Sequence, residues 1–175
     1  MNNLFDIRGK VALVTGGSRG IGEMIAAGFL ANGVKVYISS RKAEVCNATA
    51  ARLMEQFGGE CISLPANLAE VTGCQQLADE LAARESQLDI LINNAGVSWG
   101  APIDDFPESG WDKVMDTNVK GVFFLTQKLL PLLRQSGSAE DPARVVNVGS
   151  IDGLKNPVFE TFSYGPSKAA LHHLT

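Results

Sequence analysis

A short apolar run that ends in glycines and leads straight into a helical pattern dominates the start of this chain: KVALVTGGSRGIGEMIAAGFLANG, Lys10 to Gly33. The apolar and β-branched residues of KVALVT suit a strand. Beyond the glycines, apolar positions recur at helical spacing until Gly33 stops them. A strand joined to a helix by a tight glycine turn has few folds open to it. The helix packs back on a sheet, and the next strand then runs parallel to the first through a right-handed crossover.

The rest of the chain repeats that alternation. VKVYISS reads as a second strand, AEVCNATAARLMEQF as a helix closed by Gly58 and Gly59, and ECISLPA as a third strand. A helix across TGCQQLADELAARE leads to the buried-type strand LDILIN, then a helical stretch from about Glu108 to Gln135, then the strand ARVVNVG. Strands apolar on both faces and separated by helices predict an α/β fold, a doubly wound parallel sheet of the Rossmann kind with five strands. RQSGSAEDPAR is polar enough to be a surface loop, and no repeat or linker divides the chain, so residues 1–175 read as one domain.

Composition narrows the function classes. A length of 175 residues, 45% of them hydrophobic and 19% charged, suits one soluble globular domain. A net charge of −4 without a Lys/Arg run offers no nucleic-acid footprint. The three cysteines, Cys46, Cys61 and Cys74, lack CxxC spacing, so neither a zinc site nor a disulfide framework is expected, and a reducing cytoplasm fits best. MNNLFDIRGK does not read as a signal peptide, and GVFFLTQKLLPLLRQ is interrupted by Gln127, Lys128 and Pro131, so no membrane partner is expected.

TGGSRGIG places Gly16, Gly20 and Gly22 at G-x-x-x-G-x-G between a strand and a helix. A plain turn would use the same glycines. Glycine also lets the backbone come close to a pyrophosphate, and the helix start favours an anion, so a dinucleotide would fit here. About 20 residues beyond such glycines, an NAD-binding fold places a carboxylate against the ribose 2′-hydroxyl. This chain has SSRK there, and Arg41 with Arg19 could clamp a 2′-phosphate, which predicts NADP(H) over NAD(H). Near the end, Tyr164 and Lys168 stand four residues apart, a spacing that on a helix puts a phenol and an ammonium on one face. Alone, that pair would read as a surface pair, Ser150 as a loop or cap serine and Asn118 as a helix-start residue. His172 and His173 read as ordinary helix residues.

Together these residues resemble the short-chain dehydrogenase/reductase family. TGGSRGIG matches its TGxxxGxG loop, NNAG at Asn93 to Gly96 its fourth-strand motif and YGPSK its YxxxK, with Asn118 and Ser150 at the two other catalytic places. The resemblance implies cofactor contacts from Gly16, Ser18, Arg19, Gly20, Ile21 and Gly22, from Arg41, from Asn67 and Leu68, from Asn94, Ala95 and Gly96, and from Tyr164 and Lys168. It makes Tyr164 the general acid of carbonyl reduction, Lys168 the cation that favours its phenolate and holds the nicotinamide ribose, Ser150 the donor to the substrate oxygen, and Asn118 the holder of a water that links Lys168 to solvent. No metal is implied. Where the family commonly has an Asp against the adenine, PANLAE offers Asn67, whose amide oxygen can still accept a hydrogen bond.

GVSWGAP and SIDGLKNPVFETF, after strands four and five, should wall the substrate, and Trp99, Leu154, Val158 and Phe159 make that wall partly apolar. MNNLFDIRGKVALVTGGSRGIG, SSRK and VNVGSIDGL are similar to the bacterial NADPH-dependent 3-oxoacyl reductase branch, the rhamnolipid-linked type above all. By that resemblance the reaction is hydride transfer from NADPH to the 3-keto group of a small-molecule or carrier-bound 3-oxoacyl thioester. A gluconate 5-dehydrogenase-like enzyme is the alternative, with an inactive dinucleotide-binding remnant as a further one. The family also implies a homodimer or homotetramer. It implies further segments after the YxxxK helix, so this chain reads as C-terminally truncated, poorly stable and nearly inactive alone.

Overall fold

The computed structural model describes residues 5–156 and 158–175. Met1–Leu4 of the opening motif and Pro157 of the post-strand-five wall lie outside them. Five strands, β1 (Val11–Thr15), β2 (Lys35–Ser39), β3 (Cys61–Ser63), β4 (Ile90–Asn93) and β5 (Arg144–Asn147), form one parallel sheet in the order β3-β2-β1-β4-β5. Between them run α1 (Gly20–Ala31), α2 (Ala43–Phe57), α3 (Val71–Ala82), α4 (Glu108–Met115) and α5 (Gly121–Ser136), and α6 (Tyr164–His173) follows β5.

Period-two alternation splits the core into two layers. Val11 and Leu13 of β1, Tyr37 of β2 and Leu91 of β4 point to one face, where they meet Leu77 and Leu81 of α3 and Leu125, Leu129 and Leu133 of α5. Ala12, Val14, Val36, Ile38, Ile90 and Ile92 point to the other face, against Ala26 and Leu30 of α1 and Cys46, Ala50 and Leu53 of α2. Each fully buried aliphatic side chain contributes about 1.5–3 kcal/mol, so this double coverage is the main stabilising term. Buried Asp89 pins the lower ends of the elements together, accepting from Val11 N (2.8 Å) and Ser136 Oγ (2.5 Å).

Two features depart from the sequence reading, the helix after Glu108 and the cover of β5. The stretch from Glu108 is not one α-helix: α4 and α5 are joined by a π-helical turn, Asp116–Lys120, in which Gly121 N–H donates five residues back to Asp116 O. Gly121 then lies so close to the loop before α3 that a Cβ on it would stand 2.2 Å from Leu68 O, and the extra residue of the π turn lets the helix make that approach. α6 starts at Tyr164, which sets the phenol in its first turn. β5 is not covered like the inner strands; Val145 and Val146 are exposed because, among the described residues, β5 pairs only with β4.

Candidate active site

The strand order reverses between β1 and β4, and the cleft of such a sheet opens there, at the carboxyl ends of the strands. Thr15, the last residue of β1, joins the two sides of that opening. Its Oγ1 accepts from Asn94 N (3.0 Å) and Ala95 N (2.9 Å) and donates to Ile92 O (3.2 Å), while Asn94 Nδ2 donates to Thr15 O (2.9 Å). The glycine loop and NNAG are thus one hydrogen-bonded unit. Gly16 takes φ +64, and a Cβ there would lie 2.9 Å from Asn94 Nδ2, so both its conformation and its space require glycine.

A cleft of about 390 Å³ opens at this point. Of the expected cofactor contacts, Gly16, Ser18, Arg19, Gly20, Ile21 and Arg41 line it from the first two strands, and Asn67, Leu68, Asn94, Ala95 and Gly96 from the next two. Gly22 is buried instead, where a Cβ would stand 2.3 Å from Gly16 O; its place is in close helix-to-strand packing. Thr117 and Val97 also line the cleft, two contacts that no motif had marked. Asn67 gives its amide nitrogen to Glu70 (2.7 Å), and its oxygen accepts from Ala69 N (3.4 Å) with one lone pair left to accept another bond.

The residues present fit a dinucleotide with a 2′-phosphate. No side chain caps α1, and Glu23 in its first turn is drawn off by Arg52 (2.6 Å), so the helix start keeps its pull on an anion. At the far end of the cleft the Oγ atoms of Ser39 and Ser40 are buried without a hydrogen-bond partner. Beside them Arg41, like Arg19, is exposed and makes no ion pair among the described residues. Two hydroxyls and two guanidiniums without protein partners among the described residues suit a phosphate ester, and no carboxylate is among the described residues that line the cleft.

Gly96 carries the cleft over to the second cluster. A Cβ on it would lie 3.5 Å from Asn118 Oδ1 and 3.7 Å from Lys168 Nζ, so both side chains flank it. Lys168, 4% exposed, donates to Val148 O (2.7 Å) and stands 5.8 Å from the centre of the Tyr164 ring; burial lowers its pKa. Asn118, fully buried in the π turn, uses its amide on protein: Val97 N donates to Oδ1 (2.9 Å), and Nδ2 donates to Val97 O (2.9 Å) and Ser167 Oγ (3.0 Å). Ser167 in turn donates to Tyr164 O (2.7 Å), so Asn118 fastens the helix turn that carries the phenol. The Asn118 side-chain amide is thus committed to protein.

Ser150 opens the 3-10 turn Ile151–Gly153, its Oγ accepting from Asp152 N (3.2 Å). His172, expected to be an ordinary helix residue, lies against this turn and accepts from Ser150 N at 3.4 Å. Its only sequence signal is its place one helical turn beyond Lys168. Trp99 is partly spent on packing, with its ring over Gly110 and Lys113 Nζ 5.1 Å from the ring centre. Leu154, Val158 and Phe159 are 74%, 94% and 78% exposed and leave an apolar surface in the segment that follows Ser150. No group of three or more metal-ligating side chains occurs among the described residues.

A parallel sheet with a glycine-lined cleft at its reversal point, and with a phenol and a buried amine one helical turn apart beside it, defines a dinucleotide-dependent oxidoreductase. The sequence model of the short chain dehydrogenase family matches residues 10–175, and the chain belongs to that family. It is 52% identical, over its whole length, to the rhamnolipids biosynthesis 3-oxoacyl-[acyl-carrier-protein] reductase of Pseudomonas aeruginosa, of which it covers 68%. It is 36% identical to the gluconate 5-dehydrogenase of Gluconobacter oxydans, covering 99% of this chain and 65% of that protein. Among solved structures, the Pseudomonas aeruginosa RhlG/NADP active-site complex superposes with a TM-score of 0.94 at 52% identity, covering 99% of this chain and 67% of that one. A metagenomic short-chain oxidoreductase in complex with NADP gives 0.86 at 32% identity, with 97% and 74% covered. The chain thus spans about half to two thirds of the length of the curated relatives it matches.

Proposed function

We propose that this chain carries the cofactor cleft and catalytic residues of an NADPH-dependent reductase that acts on the 3-keto group of a 3-oxoacyl thioester. The single observation that carries the reading is 52% identity, across every residue of the chain, with a 3-oxoacyl-[acyl-carrier-protein] reductase. The exposed apolar residues Leu154, Val158 and Phe159 agree with it, because an acyl chain gains from apolar surface and a sugar acid does not. The gluconate 5-dehydrogenase reading rests on a relative at 36% identity and is not favoured.

NADPH, when bound, supplies the hydride. The loop from Gly16 to Ile21 with the start of α1 would hold its pyrophosphate, and Arg19, Ser39, Ser40 and Arg41 its 2′-phosphate. Tyr164 donates a proton to the carbonyl oxygen. The Lys168 ammonium favours the phenolate left behind, since a neighbouring cation stabilises the charged form. Ser150 Oγ donates to the same substrate oxygen as negative charge develops there. Asn118 acts through Val97 and Ser167, holding the cleft edge and the Tyr164 turn in register. The three cysteines are all free and buried, which supports a reducing cytoplasmic location; a homo-oligomer is the expected assembly.

The test is a comparison of rates. Full-length protein should reduce 3-oxoacyl thioesters with NADPH at least about tenfold more efficiently than with NADH, and should barely oxidise gluconate. Faster gluconate oxidation, or a preference for NADH, would sink the proposal.

A further inference from the structure

We propose that His172 is a positioning residue for Ser150, holding the serine turn against α6 through the Ser150 backbone amide. The proposal rests on the assignment of Ser150 to the substrate oxygen. Its ground is a slot built around the imidazole. A Cβ on Gly149 would lie 2.3 Å from His172 Nε2, and one on Gly153 would lie 2.9 Å from Cε1. The residue before Ser150 is therefore a glycine where the ring needs the room, while Gly153, the last residue of the 3-10 turn, lies nearer still to the α6 backbone, a Cβ there standing 2.7 Å from Lys168 C and 2.8 Å from Ala169 N.

The ring does more than fill space. Nε2 accepts from Ser150 N, so in the neutral ring the proton sits on Nδ1. Nδ1 is buried and has no hydrogen-bond partner. An apolar side chain of similar size would fill the slot without leaving that donor unpaired. What the imidazole adds is the acceptor nitrogen at Ser150.

The bond is also one of a series. Lys168 Nζ donates to Val148 O (2.7 Å), His172 Nε2 accepts from Ser150 N one turn later (3.4 Å), and Thr175 Oγ1 accepts from Asn147 Nδ2 (3.0 Å). Two turns of α6, and Thr175 just beyond its end, thus hold the chain as it leaves β5. Because Tyr164 and Lys168 belong to that same helix, the His172 contact places Ser150 in a set relation to the phenol and the ammonium. Displacing a catalytic donor by even a fraction of an ångström weakens its contribution, so the contact bears on turnover more than on cofactor binding.

Two substitutions in the full chain separate acceptor from filler. His172→Gln can present an acceptor oxygen at the place of Nε2; His172→Leu fills the slot without one. Amide hydrogen exchange at Ser150, read by NMR, should speed up by about tenfold or more in His172→Leu and stay near wild type in His172→Gln. In turnover, His172→Leu should lose about tenfold in kcat with KM for NADPH unchanged, and His172→Gln should recover most of it. Gly149→Ala should be damaging alone and relieved by His172→Ala, a coupling that a residue lying elsewhere would not show. Unchanged Ser150 exchange in the leucine variant, or glutamine no better than leucine, overturns the role of His172. Faster exchange with unchanged turnover instead overturns the assignment of Ser150 and leaves the hydrogen bond standing.

Discussion

Lys168 is the residue whose charge is least comfortable in this fold. Its pKa is lowered from 10.5 by burial, so the unfolded chain binds the proton more tightly than the folded one. Stability from this group is therefore complete above 10.5 and is lost as pH falls through the lowered folded value. Compared with Lys168→Met, the wild type should gain in melting temperature as pH rises toward 10.5, in thermal melts without cofactor. Tyr164→Phe should cost about 100- to 10,000-fold in kcat while NADPH still quenches tryptophan fluorescence normally. Arg41→Ala should weaken NADPH by about 1.5–3 kcal/mol, roughly tenfold to a hundredfold in KM, and leave NADH alone. Cys61 is pushed up to about 12 by burial and Cys74 is raised for the same reason, so a thiol reagent should find neither until the chain is unfolded.

Element by element, glycine and asparagine set how closely the parts approach. Gly22→Ala would force a methyl within 2.3 Å of Gly16 O, so α1 must move off the cofactor loop. The expected cost is about 1–3 kcal/mol in denaturant melts, together with weaker NADPH binding. Asn118→Ala would remove three hydrogen bonds and leave the backbone polar groups of Val97 unpaired, for a loss of about 1–3 kcal/mol. TGGSRGIG and NNAG were both legible as motifs, yet nothing in either string showed that Thr15 welds them together. The π turn was equally hidden. Its residues, Asp116–Lys120, fit an α-helical pattern, and only the approach of Gly121 to Leu68 explains the extra residue.

At the scale of the molecule, the outer edge of β5 stands out. Val145 and Val146 are 39% and 46% exposed, and beside them Phe123, Leu130 and Leu174 line an apolar groove of about 410 Å³. An exposed apolar edge strand invites pairing with a second chain. The 175-residue chain should therefore scatter light increasingly with concentration, and Val146→Lys should raise the concentration at which it does so. By itself the sequence determined the alternation of strand and helix, the order of the two core layers' residues along each strand, and the cofactor loop. Those follow from local periodicity and from the few backbone shapes that glycine alone permits. Tertiary structure alone decided that Gly22 packs and does not line the cleft, that the Asn118 amide is spent on Val97 and Ser167, and that His172 reaches Ser150. The Asn118 contacts join residues 21 and 49 positions apart and the His172 contact residues 22 apart, while Gly22 meets Gly16 across the turn between β1 and α1. Such pairs leave no periodic trace in the chain, and only closing the sheet and setting α6 against the end of β5 brings them within reach.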